Sequence, residues 1–242
     1  HGELDSLKIA SFNNALLDKY GVFKVDLSRK KAVENYDLLI IPKPTRSFSE
    51  LDKLKLDQFV MHGGKLLVVM DRLDAVMDSA SRQDYFAFPY TLKMEDMLFK
   101  YGVRINPDLI QDRIAARYPI VTGQVGNRPQ MMQMDWPFFP LVNQYADHPI
   151  TRNLDATLLR FASSIDTVKA IGVKKTPLLF TSPASRKMGT PVKVSVNDLR
   201  NNANPDQFQS GPIPVGYLLE GEFTSLYKDR FLPDGSEGIT MK

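Results

Sequence analysis

Apolar and polar positions along the chain follow two patterns, which change near residue 113. In the first part, residues 7–11 (LKIAS) and 22–27 read as short strands around a helix over residues 14–20 that Gly21 ends. Residues 38–41 (LLII) form a continuous apolar run stopped by Pro42, the pattern of a strand buried on both faces of a parallel sheet. Ser47 and Glu50 stand at capping-box spacing, so the next helix is expected to start near Ser47. Its apolar face is Phe48, Leu51, Leu54, Phe59 and Val60, which leaves Asp52, Lys53, Lys55 and Asp57 to face water. Gly63 suits a left-handed helix end and Gly64 a tight turn into a second buried strand over residues 65–70, which completes a βαβ unit.

Past Asp71 the pattern loosens into a long loop over residues 72–90, then a helix over residues 92–101 ended by Gly102, with short strands at 103–106 and 109–111. From residue 113 onward the texture changes, with prolines at positions 119, 129, 137, 140 and 149 among those that break the chain, and no long amphipathic helix is visible. Strands are expected at 130–135, 158–161, 167–171, 177–181, 192–196 and 214–219, and a mobile polar loop at 201–211. Together these elements predict an α/β fold: a mostly parallel sheet flanked by helices, with a β- and loop-rich C-terminal half. We expect one domain over residues 4–242, with a βαβ core at 4–112 and an extension at 113–242 packed on it.

Composition changes this picture little. The 242 residues are 43% hydrophobic and 24% charged, ordinary for a globular chain with a real core. A net charge of +3 arises from 31 basic and 28 acidic residues spread along the chain, without a basic tail or an aromatic-basic motif, so no nucleic-acid partner is expected. The absence of cysteine removes disulfides, thiolate nucleophiles and cysteine-based zinc sites together. No apolar run approaches the roughly 18 residues of a membrane span. The chain opens on His1-Gly2 without an initiator Met, and we read it as a piece of a longer protein.

In an open α/β sheet, ligands gather beyond the carboxyl ends of the strands, which singles out Lys43, Pro44 and Thr45 after the first strand and Asp71 and Arg72 after the second. Asp71 could bind a cation or orient a substrate, or simply cap the next turn or pair with Arg72. No G-x-S-x-G elbow, phosphate loop or third fingerprint glycine occurs, and Gly63-Gly64 lies before its strand, on the opposite edge. The three histidines are too few for an imidazole-rich metal centre, and no cofactor is expected. His148 beside Asp147 could act as a base, although Asp-His-Pro also makes a turn. Met131, Met132, Met134, Trp136, Phe138 and Phe139 form the densest apolar segment; core packing explains it, and any exposed part would make an adaptable partner surface, with Trp136 the binding candidate.

The order of "YDLLIIPKPTRSFSELDKLKLDQFVMHGGKLLVVMD", "MEDMLFKYGVRINPDLIQD", "HPITRNL", "PLLFTSPASR" and "YLLEGEFTSLYKDRF" resembles the GldG family of ABC-transporter-associated proteins from the gliding-motility system. The resemblance implies an extracytoplasmic domain of a membrane-anchored auxiliary subunit at the periplasmic face of the inner membrane, anchored by segments outside these residues. It implies as partners a separate ABC-2-type permease and ATPase, and binding of a partner protein or of protein or glycan cargo without catalysis. It also implies a fold similar to class I glutamine amidotransferases and ThuA-like proteins, shared with a domain of intraflagellar transport proteins. Those amidotransferases use a cysteine nucleophile that this chain lacks, so the resemblance carries no catalytic residue across. The alternative is a ThuA-like carbohydrate-active or hydrolytic enzyme using Asp71 or His148 at the strand ends. A sugar- or peptide-binding domain with exposed aromatics such as Trp136 is a third reading.

Overall fold

The computed structural model describes residues 6–77, 84–126, 128–196 and 204–242. Helix α1 (Ser6–Leu17) occupies the stretch expected to begin as a strand, because a short apolar run does not by itself distinguish a strand from part of a helix. Residues 22–26 form no strand and lead into a 3-10 turn at Leu27–Arg29, where the Asp26 carboxylate accepts from the Ser28 N–H at 3.1 Å.

The expected βαβ unit is present. Strands β1 (Leu38–Pro42) and β2 (Lys65–Val69) pair in parallel from Leu38↔Lys65 to Pro42↔Val69, with helix α2 (Glu50–Met61) crossing between them. Ser49 caps α2, accepting from the Asp52 N–H at 3.1 Å, whereas the Ser47 hydroxyl donates to the Thr91 carbonyl at 2.6 Å. The helix therefore starts later than the Ser47–Glu50 spacing implies. Beneath it lies the first core, in which Leu39 and Ile41 of β1 meet Leu54, Leu56 and Phe59, joined by Met97, Leu226 and Tyr227 from far along the chain.

The rest of the chain does not extend this unit into a mostly parallel sheet flanked by helices. After β2 come β3 (Tyr85–Ala87), helix α3 (Glu95–Tyr101), β4 (Val103–Ile105), β5 (Asp108–Asp112), and the long hairpin of β6 (Ala115–Val125) and β7 (Arg128–Val142). Then come β8 (Gln144–Tyr145), β9 (Thr157–Leu158), β10 (Ile165–Thr167), β11 (Val173–Phe180), β12 (Ser185–Gly189), β13 (Val192–Val194) and β14 (Pro214–Gly221). Among the described residues β1–β2 is the one parallel pair; β3–β13, β4–β10, β5–β12, β6–β7, β7–β9, β8–β11 and β11–β14 are all antiparallel. The fold is thus dominated by small antiparallel sheets, which corrects the expected similarity to class I glutamine amidotransferases and ThuA-like proteins. The physical reason is connectivity: each parallel neighbour needs a crossover of a dozen or more residues, usually helical, and α3 spans only seven.

Within this antiparallel part, Gly102 closes α3 at φ 108°, as the sequence predicts. Strands β6 and β7 are far longer than the expected 130–135 segment, and their second core packs Trp136, Phe138, Phe139 and Phe161 with Leu73, Ala87, Leu109, Val192 and Val194. Residues 78–83, and residues 201–203 of the loop expected at 201–211, lie outside the described residues. The described remainder of that loop packs inward through Phe208, 5% exposed under the Arg186 guanidinium at 4.7 Å.

Candidate functional site

At the carboxyl ends of β1 and β2 the predicted residues do come together, but on one another. Lys43 sits at φ 43°, its N–H bonds the Val69 carbonyl at 2.6 Å, and its ammonium lies 2.9 Å from the Asp71 carboxylate. Pro44 is buried and Thr45 half-buried. Arg72 donates to the Tyr90 carbonyl at 2.5 Å and lies 3.0 Å from Glu95, while its Nε has no protein partner among the described residues. These contacts tie the strand ends to the start of α3. They make a clamp between loops, with the charges matched within the protein.

His148 belongs to a different place. It sits in the turn after β8, where its Nδ1 accepts from the Ile150 N–H at 3.2 Å and its carbonyl from the Thr151 N–H at 3.0 Å. Asp147 lies 3.9 Å from Arg152 at the surface. Asp71 and His148 are engaged with separate partners, and among the described residues no three His, Asp or Glu side chains are grouped to hold a metal ion.

Trp136 is not an exposed aromatic. At 1% exposure it stacks in the second core, with ring centroids 5.8 Å from Phe138 and 6.4 Å from Phe139, and its N–H has no protein partner among the described residues. The same segment divides by position along β7. Trp136, Phe138 and Phe139 are buried, whereas Met131 and Met132 are 60% and 53% exposed, as is Val121 opposite Met131 at 50%. The far half of the β6–β7 hairpin, closed around Gly126 at φ 62°, thus presents flexible apolar side chains to solvent.

The largest departure from the sequence reading is the second side of α2. Asp52, Lys53, Lys55 and Asp57, expected to face water, are all buried. Asp57 is fully enclosed and its carboxylate accepts four hydrogen bonds: from the Tyr101 hydroxyl (2.8 Å), the Leu226 N–H (2.8 Å), the Ser225 hydroxyl (2.6 Å) and the Gln58 amide (3.0 Å). Lys53 reaches Glu50 at 2.8 Å and Asp96 at 3.0 Å, and Arg230 meets the same Asp96 oxygen at 2.9 Å. Lys55 donates to the Leu27 carbonyl at 2.8 Å, Gln58 accepts from the Lys242 N–H at 2.8 Å, and Tyr227 donates to the Glu50 carbonyl at 2.8 Å. The segment after β14 therefore wraps α2 through polar contacts. No local signal marks it, since a charged helix side is ordinarily solvated and its partners lie 28 to 184 residues away.

This setting moves acid–base equilibria. Burial opposes ionisation of Asp96, but the hydrogen bonds from Arg230 and Lys53 outweigh it and hold the carboxyl below its usual range. Burial, then the neighbouring Asp57 carboxylate, pushes Tyr101 far above an ordinary phenol, and burial with Glu50 does the same to Tyr227. Beside this region, at the amino ends of β1 and β2, a cleft of about 500 Å³ is lined by Val33, Glu34, Asp37, Lys55, His62 and Ile239 among others. It lies at the sheet edge opposite the strand ends that the sequence singles out.

Residues 1–241 match the model of a family described as an ABC-type uncharacterized transport system. An uncharacterized protein of Borreliella burgdorferi is 25% identical over 185 residues, covering 73% of this chain and 34% of that protein. The chain therefore spans about a third of the length of that curated relative. The mmIFT52 N-terminal domain superposes with a TM-score of 0.48 at 15% identity, over 86% of this chain and 76% of that one.

Proposed function

The chain belongs to that ABC-type transport family, and from this premise we propose that it is a non-catalytic, extracytoplasmic domain of a membrane-anchored, GldG-like auxiliary subunit. It faces the periplasm, is anchored by segments outside these residues, and recognises a partner protein or cargo while a separate subunit hydrolyses ATP. The observation that carries the transport assignment is the family match over residues 1–241. The non-catalytic reading is supported by the strand ends, where Lys43 is paired with Asp71, and Arg72 with Glu95 and the Tyr90 carbonyl. The partner-binding reading is supported by the exposed Met131, Met132 and Val121 of the β6–β7 hairpin, a flexible apolar surface of the kind that adapts to partners.

Affinity capture of the full-length protein from membranes in mild detergent is expected to recover an ABC permease and its ATPase. Recovery of neither would overturn the proposal. Replacing Met131→Glu and Met132→Glu together is expected to cut recovery about fivefold, a loss of ~1 kcal/mol at an interface. Because both side chains are exposed, the melting temperature should stay within ~2 °C.

A further inference from the structure

Methionine sulfur gathers on the β6–β7 hairpin. Of the ten methionines, Met131, Met132 and Met134 fall within four consecutive residues of β7, and Met131 and Met132, at 60% and 53%, are the most exposed among the described residues. Met94 and Met97, by contrast, are fully buried in the first core. Successive residues of a strand point to opposite faces, so the two exposed thioethers stand on the two sides of the hairpin, Met131 across from Val121 and Met132 across from Ile120. The Met132 side then runs inward through Met134 to Trp136 of the second core.

Two features make this pair a chemical site. The chain has no cysteine, so its sulfur is all thioether and no thiol competes for an oxidant. From residue 118 to residue 134 the one charged residue is Arg128, so uncharged and apolar side chains set the character of this surface. A sulfoxide there introduces a strong hydrogen-bond acceptor that an apolar partner surface leaves unpaired.

We propose that Met131 and Met132 form an oxidation-sensitive modification site. Hydrogen peroxide transfers one oxygen atom to each sulfur: the O–O bond breaks, an S–O bond forms, the sulfur is oxidised to the sulfoxide and the peroxide is reduced to water. Both sides of the hairpin turn from apolar to polar and the bound partner is released. A dithiol reverses the change through a reductase for each sulfoxide epimer, the oxygen leaving as water and the dithiol becoming a disulfide. The release of a partner rests on the partner-binding reading proposed above; the reactivity of the pair does not.

Peroxide treatment of the intact chain followed by peptide mass mapping is expected to oxidise Met131 and Met132 at least about tenfold faster than Met94 and Met97. Similar rates at all four would overturn the site. Purified full-length protein, oxidised, freed of peroxide and used as bait in a mild-detergent membrane extract, is expected to recover the ABC permease and ATPase about fivefold less well than untreated bait, with recovery restored by the reductases and dithiol. In a bait carrying Met131→Leu and Met132→Leu, where Met241 at 40% exposure still oxidises, treatment is expected to leave recovery as it is before treatment. Undiminished recovery by parent bait with both sulfoxides formed, or an equal fall in the double variant, would overturn the switch. Untreated bait that recovers neither subunit would overturn the transport reading and partner release with it, while the peptide map decides the modification site on its own.

Discussion

Removing the Asp57 carboxylate tests how the C-terminal segment is held. Asp57→Ala leaves the Leu226 N–H and the Tyr101 hydroxyl, each 2.8 Å from one carboxylate oxygen, buried without their acceptor. Each orphaned donor costs ~1–3 kcal/mol. Ser225 suffers less, because its oxygen still accepts from the Tyr227 N–H at 3.0 Å and its hydroxyl can turn. Alanine recovers ~0.5 kcal/mol of helix propensity in α2. The net loss is therefore about 1.5–5.5 kcal/mol, and its middle value of ~3.5 kcal/mol, at ~2–4 °C per kcal/mol, lowers the melting temperature by ~10 °C. Asp57→Asn keeps one carbonyl acceptor and turns an amide toward Ser225 and Gln58, so it should fall between the variant and the parent. The assay is urea denaturation followed by far-UV circular dichroism, with amide exchange at Leu226 as the local reading. A loss below ~1 kcal/mol for Asp57→Ala, with Leu226 still protected, would refute the claim that this carboxylate fastens the segment.

The same region yields further expected outcomes. Because Asp96 has a folded-state pKa below its unfolded value, its contribution to stability is present above the unfolded value near ~4 and is lost as pH falls through the folded one. Asp96→Asn should accordingly flatten the acid limb of a stability-versus-pH curve, and an unchanged limb would contradict the assignment. Tyr101 and Tyr227 have raised pKa values, so the stability they lend is complete below ~10 and declines as pH rises above it; ultraviolet titration should leave at least two of the nine tyrosines un-ionised at pH ~12 until the chain unfolds. Gly102→Ala should cost at least ~1–2 kcal/mol in thermal melts, since a Cβ there, at φ 108°, would come within 2.5 Å of the Lys175 side chain and 3.1 Å of Ala170.

What could be read from the sequence was local. The runs at 38–41 and 65–70, the paired glycines at 63–64 and the Gly102 helix end each carry their signal in a few adjacent residues, and the βαβ unit and the α3 stop derive from them. The sequence offered Arg72 as an ion-pair partner for Asp71, whereas the structure pairs Asp71 with Lys43 across the two strand ends. The misreadings are of two kinds. Residues 7–11 are ambiguous over so short a run, and the helix there wins. The parallel class was extrapolated from one βαβ unit to strands whose partners are far away, such as β5 with β12, β4 with β10 and β3 with β13.

Sequence by itself determined where apolar and polar residues alternate, where the chain must turn, and that no cysteine chemistry is available. The tertiary structure decided which faces those residues use. Whether Lys53 and Asp57 meet water or protein depends on Asp96 and on residues 225–230 arriving from elsewhere, and whether Trp136 is exposed depends on Phe138, Phe139 and Phe161 closing around it. Burial is a property of pairs of distant segments, and a local pattern carries only one member of each pair.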